Sequence, residues 1–176
     1  MAEWEGVART LVDARYGVLV GYARLVAGGA ADAEDLVQEA LISTFSRRRG
    51  LASVPEAEAY VRRAIVSRFL DGARRSSRTK RTTLGDMPVA GHADGVDLAI
   101  DLTAALQRLS PRERVCVVLR HLDGFSVAQT AATLGLAEGS VKRYVADGLA
   151  KLNALLGTDE GADDPIAVQS PKGGVR

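Results

Sequence analysis

The fold is decided by residues 110–135, which read SPRERVCVVLRHLDGFSVAQTAATLG. Ser110 and Glu113 have the spacing of a capping box, in which each side chain bonds to the backbone of the other residue, and Pro111 takes the first helical position. A second Ser-x-x-Gln box begins at Ser126, and a glycine closes the segment. The stretch therefore predicts two helices, the second of them short.

A further helix is predicted after this pair. Its buried side is marked by apolar residues at helical spacing, namely Val141, Val145, Leu149 and Leu152. Two short helices joined by a tight turn containing glycine are typical of a helix-turn-helix, whose second helix enters the major groove of DNA. The outward face of that helix carries Lys142 and Arg143. Many helical hairpins bind nothing, so DNA reading by this half is a hypothesis at this point.

A second informative stretch is residues 60–75, YVRRAIVSRFLDGARR. At about 100° per residue, its apolar side chains gather on one side: Val61, Ile65, Val66, Phe69 and Ala73. The opposite side collects Tyr60, Arg63, Ser67, Asp71 and Arg74. A ring, a hydroxyl and two guanidiniums in a line suit a single nucleic-acid strand, because the ring stacks on a base and the cations hold phosphates. A surface helix that happens to be rich in arginine is the plain alternative.

A third helix is predicted after Asp32, because its first turn is acidic and an apolar stripe follows. The stripe consists of Leu36, Val37, Ala40, Leu41, Thr44 and Phe45. The exposed face carries Asp35, Gln38 and Glu39. Carboxylates at i and i+4 can ligate a metal, but the chain has only two His and no second paired carboxylate motif. We therefore expect a protein-docking or solvated face, with no metal, no cofactor and no catalytic residue.

Charge is sorted along the 176-residue chain, although the net charge is only +1. Residues 47–81 hold eleven Arg and Lys against three acidic residues, whereas residues 82–101 hold four Asp and no Arg or Lys. A basic surface beside an acidic connector is expected of a polyanion binder. The single cysteine, Cys116, lies in an apolar run and allows no disulfide frame. With neither a signal peptide nor a membrane-span pattern, we expect a cytoplasmic protein.

The expected fold class is all-α, with two small helical domains joined by a flexible linker. Residues 1–81 form the first domain, and residues 82–100 lack a sustained apolar period and form the linker. Residues 101–156 form the second domain, a four-helix unit with the helix-turn-helix. Residues 157–176, rich in Gly and Pro, are expected to be disordered. We expect the two domains to move independently in the free protein.

Several motifs follow one another in an order that is typical of a known family. They are DAEDLVQE at 32–39, the stretch at 60–75, LSPRER at 109–114, FSVAQTA at 125–131 and GSVK at 139–142. Together they resemble the extracytoplasmic-function group of bacterial sigma factors, of the sigma-70 family, over roughly residues 5–155. In that family the first domain binds the clamp of RNA polymerase and opens the minus-ten promoter element, and the second domain reads the minus-thirty-five element.

The resemblance implies an alternative sigma factor that is not an enzyme. Its implied partners are core RNA polymerase, promoter DNA and, as a further candidate, an anti-sigma factor. The residues that would face the polymerase clamp are Asp35, Gln38 and Glu39. Those that would lie along the minus-ten DNA are Tyr60, Arg63, Ser67, Arg74 and Arg75. Those that would contact the minus-thirty-five DNA are Ser140, Lys142 and Arg143, while the linker would thread into the polymerase cleft.

The chain departs from the family pattern at five positions. The family usually has Trp at the position of Tyr60 and often Asn at that of Ser67. Tyr60 keeps an aromatic ring for stacking, whereas Ser67 offers a shorter side chain for the polar contact. In the reading helix the family commonly has arginines at the positions of Tyr144 and Asp147, and a hydroxyl cap in place of Ala137. We therefore expect a weaker grip on phosphates, and the missing cap costs about 1 kcal/mol of helix stability.

Two other classes of protein remain open from the sequence. A plain helix-turn-helix regulator explains residues 102–156 but leaves the aromatic and arginine stripe without a role, and a dimer in solution would favour it. An all-helical metal-dependent enzyme would use Glu34, Asp35 and Glu39, and stoichiometric bound metal would favour that.

Overall fold

The computed structural model describes residues 3–29, 32–47, 50–82 and 98–156. Within these ranges the backbone forms seven α-helices and no strand. They are α1 (Glu3–Ala27), α2 (Ala33–Arg47), α3 (Val54–Thr82), α4 (Leu98–Gln107), α5 (Pro111–His121), α6 (Val127–Leu134) and α7 (Glu138–Leu156). The prediction of an all-α protein with two sets of helices is confirmed, and we refer to α1–α3 as the first helical group and to α4–α7 as the second.

The first helical group packs its three helices around an aliphatic core. The apolar side predicted for α3 is the side that is buried, since Val61, Ile65 and Val66 are at most 2% exposed. Side chains of the other two helices that complete the core include Leu11, Leu19, Ala23, Val26, Val37 and Ala40. Trp4 stacks on Phe45 with ring centroids 6.2 Å apart, which joins the start of α1 to the end of α2.

Both capping boxes of the second helical group are formed. The Ser110 hydroxyl accepts from the Glu113 backbone N–H, and the Glu113 carboxylate accepts from the Ser110 N–H at 2.9 Å. Ser126 and Gln129 make the same reciprocal pair at the start of α6. Gly135 then ends α6 with a φ of +61°, a left-handed conformation that glycine adopts without strain. The capping box at Ser126 and the turn at Gly135 therefore determine where the first helix of the helix-turn-helix begins and ends.

Helix α5 is buried on every side, from Glu113 to Leu119. A helix that is apolar all round must be covered by neighbours in every direction. Two of its sides face the other helices of the second group, through Cys116 and Val117. The remaining side places Val115, Val118 and Leu119 in the core of the first helical group. The two groups therefore share a core in this structure, whereas the sequence led us to expect domains that move independently.

The Arg114 side chain, only 6% exposed, connects the turn between α4 and α5 to the end of α1. Its guanidinium donates to five backbone carbonyls, those of Leu106, Gln107 and Leu109 near the end of α4 and those of Val26 and Ala27 at the end of α1. The last carbonyls of a helix have no partner within the helix, and the negative end of the helix dipole favours a cation there. Burial lowers the pKa of Arg114, but an arginine remains charged.

The structure differs from the sequence-based boundaries at two helix ends. The helical pattern noted in the sequence over residues 60–75 extends further, and helix α3 continues to Thr82 because no glycine or proline follows Gly72 until Gly85. Helix α4 begins at Leu98, within the stretch predicted as linker. Residues 83–97 of that linker and the predicted disordered tail, residues 157–176, lie outside the described residues.

The Thr130 hydroxyl in α6 generates a stability prediction. It is fully buried and has no hydrogen-bond partner in the described structure. An unsatisfied buried hydroxyl costs about 1–3 kcal/mol, and valine replaces it with a methyl group of nearly the same shape. We expect Thr130→Val to raise the free energy of unfolding by about 1 kcal/mol in urea denaturation. The matched control is Thr133→Val at an exposed position of α6, where we expect a change within about 0.5 kcal/mol; a loss of stability in Thr130→Val would contradict the argument.

Candidate nucleic-acid and polymerase interfaces

The polar side of α3 carries the residues predicted to meet a nucleic-acid strand. We call Tyr60, Arg63, Ser67 and Arg74 the strand-facing stripe. Arg63, Ser67 and Arg74 are exposed, whereas Tyr60 is half-buried against the core of the first helical group. The Arg63 guanidinium carbon lies 5.7 Å from the centroid of the Tyr60 ring, so the structure brings the ring and a cation together. Arg75 is exposed but lies about 100° around the helix from Arg74.

The second helical group packs against this stripe, which the sequence did not predict. The Phe125 ring, between α5 and α6, lies 5.8 Å from the Arg63 guanidinium carbon, on α3. Further along α3, the stripe faces α6 across a narrow cleft. The cleft is lined by Arg63, Val66, Ser67, Leu70, Asp71 and Arg74 from α3 and by Thr133 and Leu134 from α6. The stripe therefore borders the second helical group, while Arg63, Ser67 and Arg74 remain exposed.

The docking residues predicted on α2 are all exposed. Asp35, Gln38 and Glu39 lie on adjacent turns, and the Glu39 carboxylate accepts from Arg68 of α3 at 3.0 Å. Sequence reasoning missed Ile42, which is 67% exposed and lies three and four residues after Glu39 and Gln38 on the same side. The signal was present, because Ile42 is an apolar residue outside the apolar stripe of α2. We call these four residues the docking face.

The reading helix, α7, presents the predicted basic pair to solvent. Lys142 and Arg143 are exposed and Ser140 is half-buried. The Arg143 guanidinium carbon lies 5.4 Å from the centroid of the Tyr144 ring, so the cation lies against a half-buried ring of the same helix. At the start of the helix, the backbone carbonyl of Ala137 accepts from the Ser140 N–H at 3.0 Å. Because alanine has no side-chain oxygen, Ala137 cannot accept a further bond from the free N–H groups of the first turn.

A network of charged side chains, which helical periodicity could not predict, lies where the two helical groups meet. The Arg62 guanidinium bonds to Glu58 at 2.7 Å, one turn earlier in α3, and to Asp123 at 2.9 Å, just after α5. The Asp123 carboxylate also accepts from the Tyr22 hydroxyl of α1 at 2.7 Å. Arg15 completes the network by bonding to Glu58 at 2.9 Å. These contacts connect α1, α3 and the segment that precedes the helix-turn-helix.

The network shifts the pKa values of its members. The hydrogen bond from Arg15 lowers the pKa of Glu58, and the bonds and positive charge of Arg62 act in the same direction against the effect of burial. Burial raises the pKa of Tyr22, and the negative charge of Asp123 raises it further. At neutral pH the Glu58 carboxylate is therefore charged and the Tyr22 phenol is protonated.

Two properties of the described residues bear on metal binding and on membrane insertion. Among the residues that the structure describes, no group of three or more His, Cys, Asp or Glu side chains could hold a metal ion. Over the same residues, none of the helices combines the length and the apolar character needed to cross a membrane.

Comparisons with known proteins agree with this architecture. The family model for sigma-70 region 2 matches residues 11–79, and that for sigma-70 region 4 matches residues 99–152. The chain is 35% identical over 136 residues to the ECF RNA polymerase sigma factor SigM of Mycobacterium tuberculosis, covering 77% of this chain and 69% of the relative. It is 34% identical over 157 residues to the RNA polymerase sigma-E factor of Streptomyces avermitilis, covering 88% and 85% of the two chains.

A solved structure is similar over most of the length. The sigma factor RpoE of Bartonella quintana, in complex with the anti-sigma factor NepR, superposes with a TM-score of 0.63 at 25% identity, covering 86% of this chain and 98% of the other. The chain belongs to the sigma-70 family of RNA polymerase sigma factors, in its extracytoplasmic-function group. It is an alternative sigma factor, a DNA-binding regulatory protein that directs promoter recognition and opening at the start of transcription. A helix-turn-helix regulator without polymerase docking is not favoured, because the region 2 match covers the first helical group.

Proposed function

We propose that the sigma-factor activity is divided among three surfaces, each on a different helix. The docking face on α2 binds core RNA polymerase, the strand-facing stripe on α3 holds the opened minus-ten element, and the outward face of α7 reads the minus-thirty-five element. The observation that carries this assignment is the separation of the docking face from the stripe on two helices of one packed group. Recruitment and promoter opening can therefore be impaired independently.

The docking face combines charge with one apolar anchor. Asp35 and Glu39 supply charges that orient the approach to a basic partner surface and raise the association rate. Ile42 is an exposed aliphatic side chain that a partner can cover. Full burial of a side chain of this size contributes about 1.5–3 kcal/mol to the binding free energy. The bond from Arg68 holds the Glu39 carboxylate against the next helix, so less freedom is lost when a partner binds.

The strand-facing stripe suits an unpaired strand. A base that leaves the double helix loses the stacking energy of its neighbouring bases. Stacking on an aromatic side chain contributes about 1–3 kcal/mol of binding energy per base in its place. Tyr60 offers that ring, Arg63 lies beside it, and Arg74 adds a second cation about three turns beyond Arg63 along α3. Asp71 is 3.5 Å from Arg74 and both are exposed, so a phosphate can compete with this weak ion pair. Ser67 is placed to hydrogen-bond between the two cations.

The reading helix and the cellular setting complete the proposal. Ser140, Lys142 and Arg143 lie in the first turns of α7, where a recognition helix meets base edges and phosphates. We place the protein in the cytoplasm with the polymerase that it serves. An anti-sigma factor is a candidate partner, because the superposed RpoE structure is a complex with the anti-sigma factor NepR.

The first functional prediction tests the docking face. We expect Asp35→Arg combined with Glu39→Arg to abolish co-elution with core polymerase in gel filtration, because both contacts become repulsive. Ile42→Ser should weaken the affinity by about 10- to 100-fold through loss of apolar burial. Val18→Ser is the matched control, since Val18 is an exposed aliphatic residue of α1. Equal affinities of the Ile42→Ser and Val18→Ser proteins would remove Ile42 from the docking face.

The second prediction separates opening from docking. Tyr60→Ala combined with Arg63→Ala should leave polymerase association unchanged and abolish open-complex formation, because the flipped base loses its ring and its phosphate loses a cation. Permanganate reactivity of unpaired thymines reports opening. Tyr60→Phe keeps the ring and should open promoters. Normal thymine reactivity in a folded double variant would show that the stripe is only a solvated surface.

The third prediction concerns the reading helix. If Arg143 contacts a base, Arg143→Ala should cost about 1–3 kcal/mol in affinity of the polymerase complex for its own minus-thirty-five element and reduce discrimination at one base pair. A phosphate contact would instead weaken all sequences alike and reduce the salt slope by about one. Arg24→Ala, at an exposed arginine of α1, is the control. An affinity and a salt slope unchanged relative to this control would contradict the role of Arg143.

A further inference from the structure

We propose that Tyr144 is a positioning residue for promoter reading. Its ring holds the Arg143 guanidinium in an orientation in which Arg143 bonds to a guanine of the minus-thirty-five element in the major groove. This role rests on the proposed assignment of the outward face of α7 to that element. Tyr144 acts through Arg143, and its hydroxyl group is not needed for the effect.

The Tyr144 ring is held by the core of the helix-turn-helix. The side chain is half-buried and packs against a cluster formed by Cys116 of α5, Ala131 of α6 and Val141 of α7. These three residues are at most 6% exposed. Side chains that pack against a dense core have little freedom to move. The ring therefore forms a fixed surface at the edge of the reading helix.

Arg143 lies on that surface. Its side chain is exposed, and its guanidinium carbon lies over the Tyr144 ring, 5.4 Å from the centroid. The N–H donors of a guanidinium lie in the plane of the group, so contact with the face of a ring leaves them available. Within the described residues, no hydrogen bond or ion pair occupies them. The cation is therefore held in place while its donors remain available to a ligand.

Asp147 is a carboxylate that competes with the ring for this cation. It is exposed and follows Arg143 by four residues, the spacing at which opposite charges pair along a helix. In the part of the chain that the structure describes, Arg143 does not pair with Asp147 and contacts Tyr144 instead. A guanidinium paired with Asp147 would have fewer donors for DNA. The ring therefore keeps Arg143 available for reading.

A guanidinium held in this way suits a guanine. Guanine presents its O6 and N7 acceptors in the major groove, and the planar fork of an arginine bonds to both at once. Two bonds in one plane require a definite orientation, so an arginine that is already oriented loses less freedom on binding. Arg143 lies in the second turn of α7, and the N-terminal part of a recognition helix contacts base edges.

Lys142 makes a phosphate contact by Arg143 less necessary. It is exposed and precedes Arg143 directly, about 100° around the helix. An ammonium group on a flexible chain acts as a point charge and binds phosphate without a fixed orientation. Lys142 therefore suits the DNA backbone, whereas the oriented Arg143 suits a base.

The test measures base preference in the complex of core polymerase with the full chain. The probe is a promoter library that is randomised over the minus-thirty-five element. We expect one position with a preference for guanine, which Arg143→Ala should reduce by about 5- to 150-fold, the discrimination that one bidentate pair provides. Tyr144→Leu and Tyr144→Met keep an apolar side chain but remove the ring. Each should reduce the preference at the same position by about 2- to 5-fold, the contribution of an exposed cation–π contact.

Controls separate the ring from the hydroxyl group and from the core. Tyr144→Phe keeps the ring and should keep the preference. Val145→Ala shortens a half-buried side chain that packs against the same cluster, so it should lower the Tm and leave the base preference unchanged. A double-mutant cycle shows whether Tyr144 acts through Arg143. In an Arg143→Ala protein, Tyr144→Leu should have no further effect on the preference.

The outcomes distinguish this role from the proposed function. An unchanged preference in both apolar Tyr144 variants, or a further loss in the Arg143→Ala protein, would overturn the positioning role. Loss of the preference in Tyr144→Phe would show instead that the hydroxyl group contacts DNA. If Arg143→Ala keeps the preference but reduces the salt slope by about one, Arg143 holds a phosphate and the guanine assignment is overturned. If Lys142→Ala combined with Arg143→Ala changes neither quantity, the assignment of α7 to the minus-thirty-five element itself fails.

Discussion

The structure depends on the burial of α5 from every direction. The run from Val115 to Leu119 is apolar on all sides, so the helix cannot lie on a surface. Helices α4, α6 and α7 cover two of its sides and complete the helix-turn-helix domain. The third side, with Val115, Val118 and Leu119, needs a cover from outside that domain, and in this structure the first helical group provides it. The contact between the groups follows from this single requirement.

Polar groups at the same contact decide how the two groups fit. Aliphatic packing is non-directional and tolerates sliding, whereas the bonds of Asp123 to Tyr22 and Arg62 are satisfied in one relative position. Arg114 adds a second fixed point at the end of α1. The position that satisfies both is the one in which Phe125 meets Arg63 on the strand-facing stripe.

Local features of the fold were predictable from the sequence, whereas contacts between distant segments were not. Both capping boxes and the buried side of α3 followed from partners three or four residues apart. The bond between Arg62 and Asp123 spans 61 residues, and helical periodicity shows which side is buried but not what covers it. Ile42 was missed for a related reason, because an apolar residue outside the buried stripe indicates a docking surface only when the side chain is known to be exposed.

The polar contacts between the two helical groups are arranged so that separation of the groups would leave few charges without partners. When Asp123 leaves, Arg62 keeps its bond to Glu58 within α3, and Glu58 also keeps Arg15. Arg114 likewise loses the carbonyls of α1 but keeps those at the end of α4. Asp123 itself returns to water, where a carboxylate is stable. The main resistance to separating the groups is therefore the burial of the aliphatic side of α5, which is favourable in proportion to the apolar area that it removes from water.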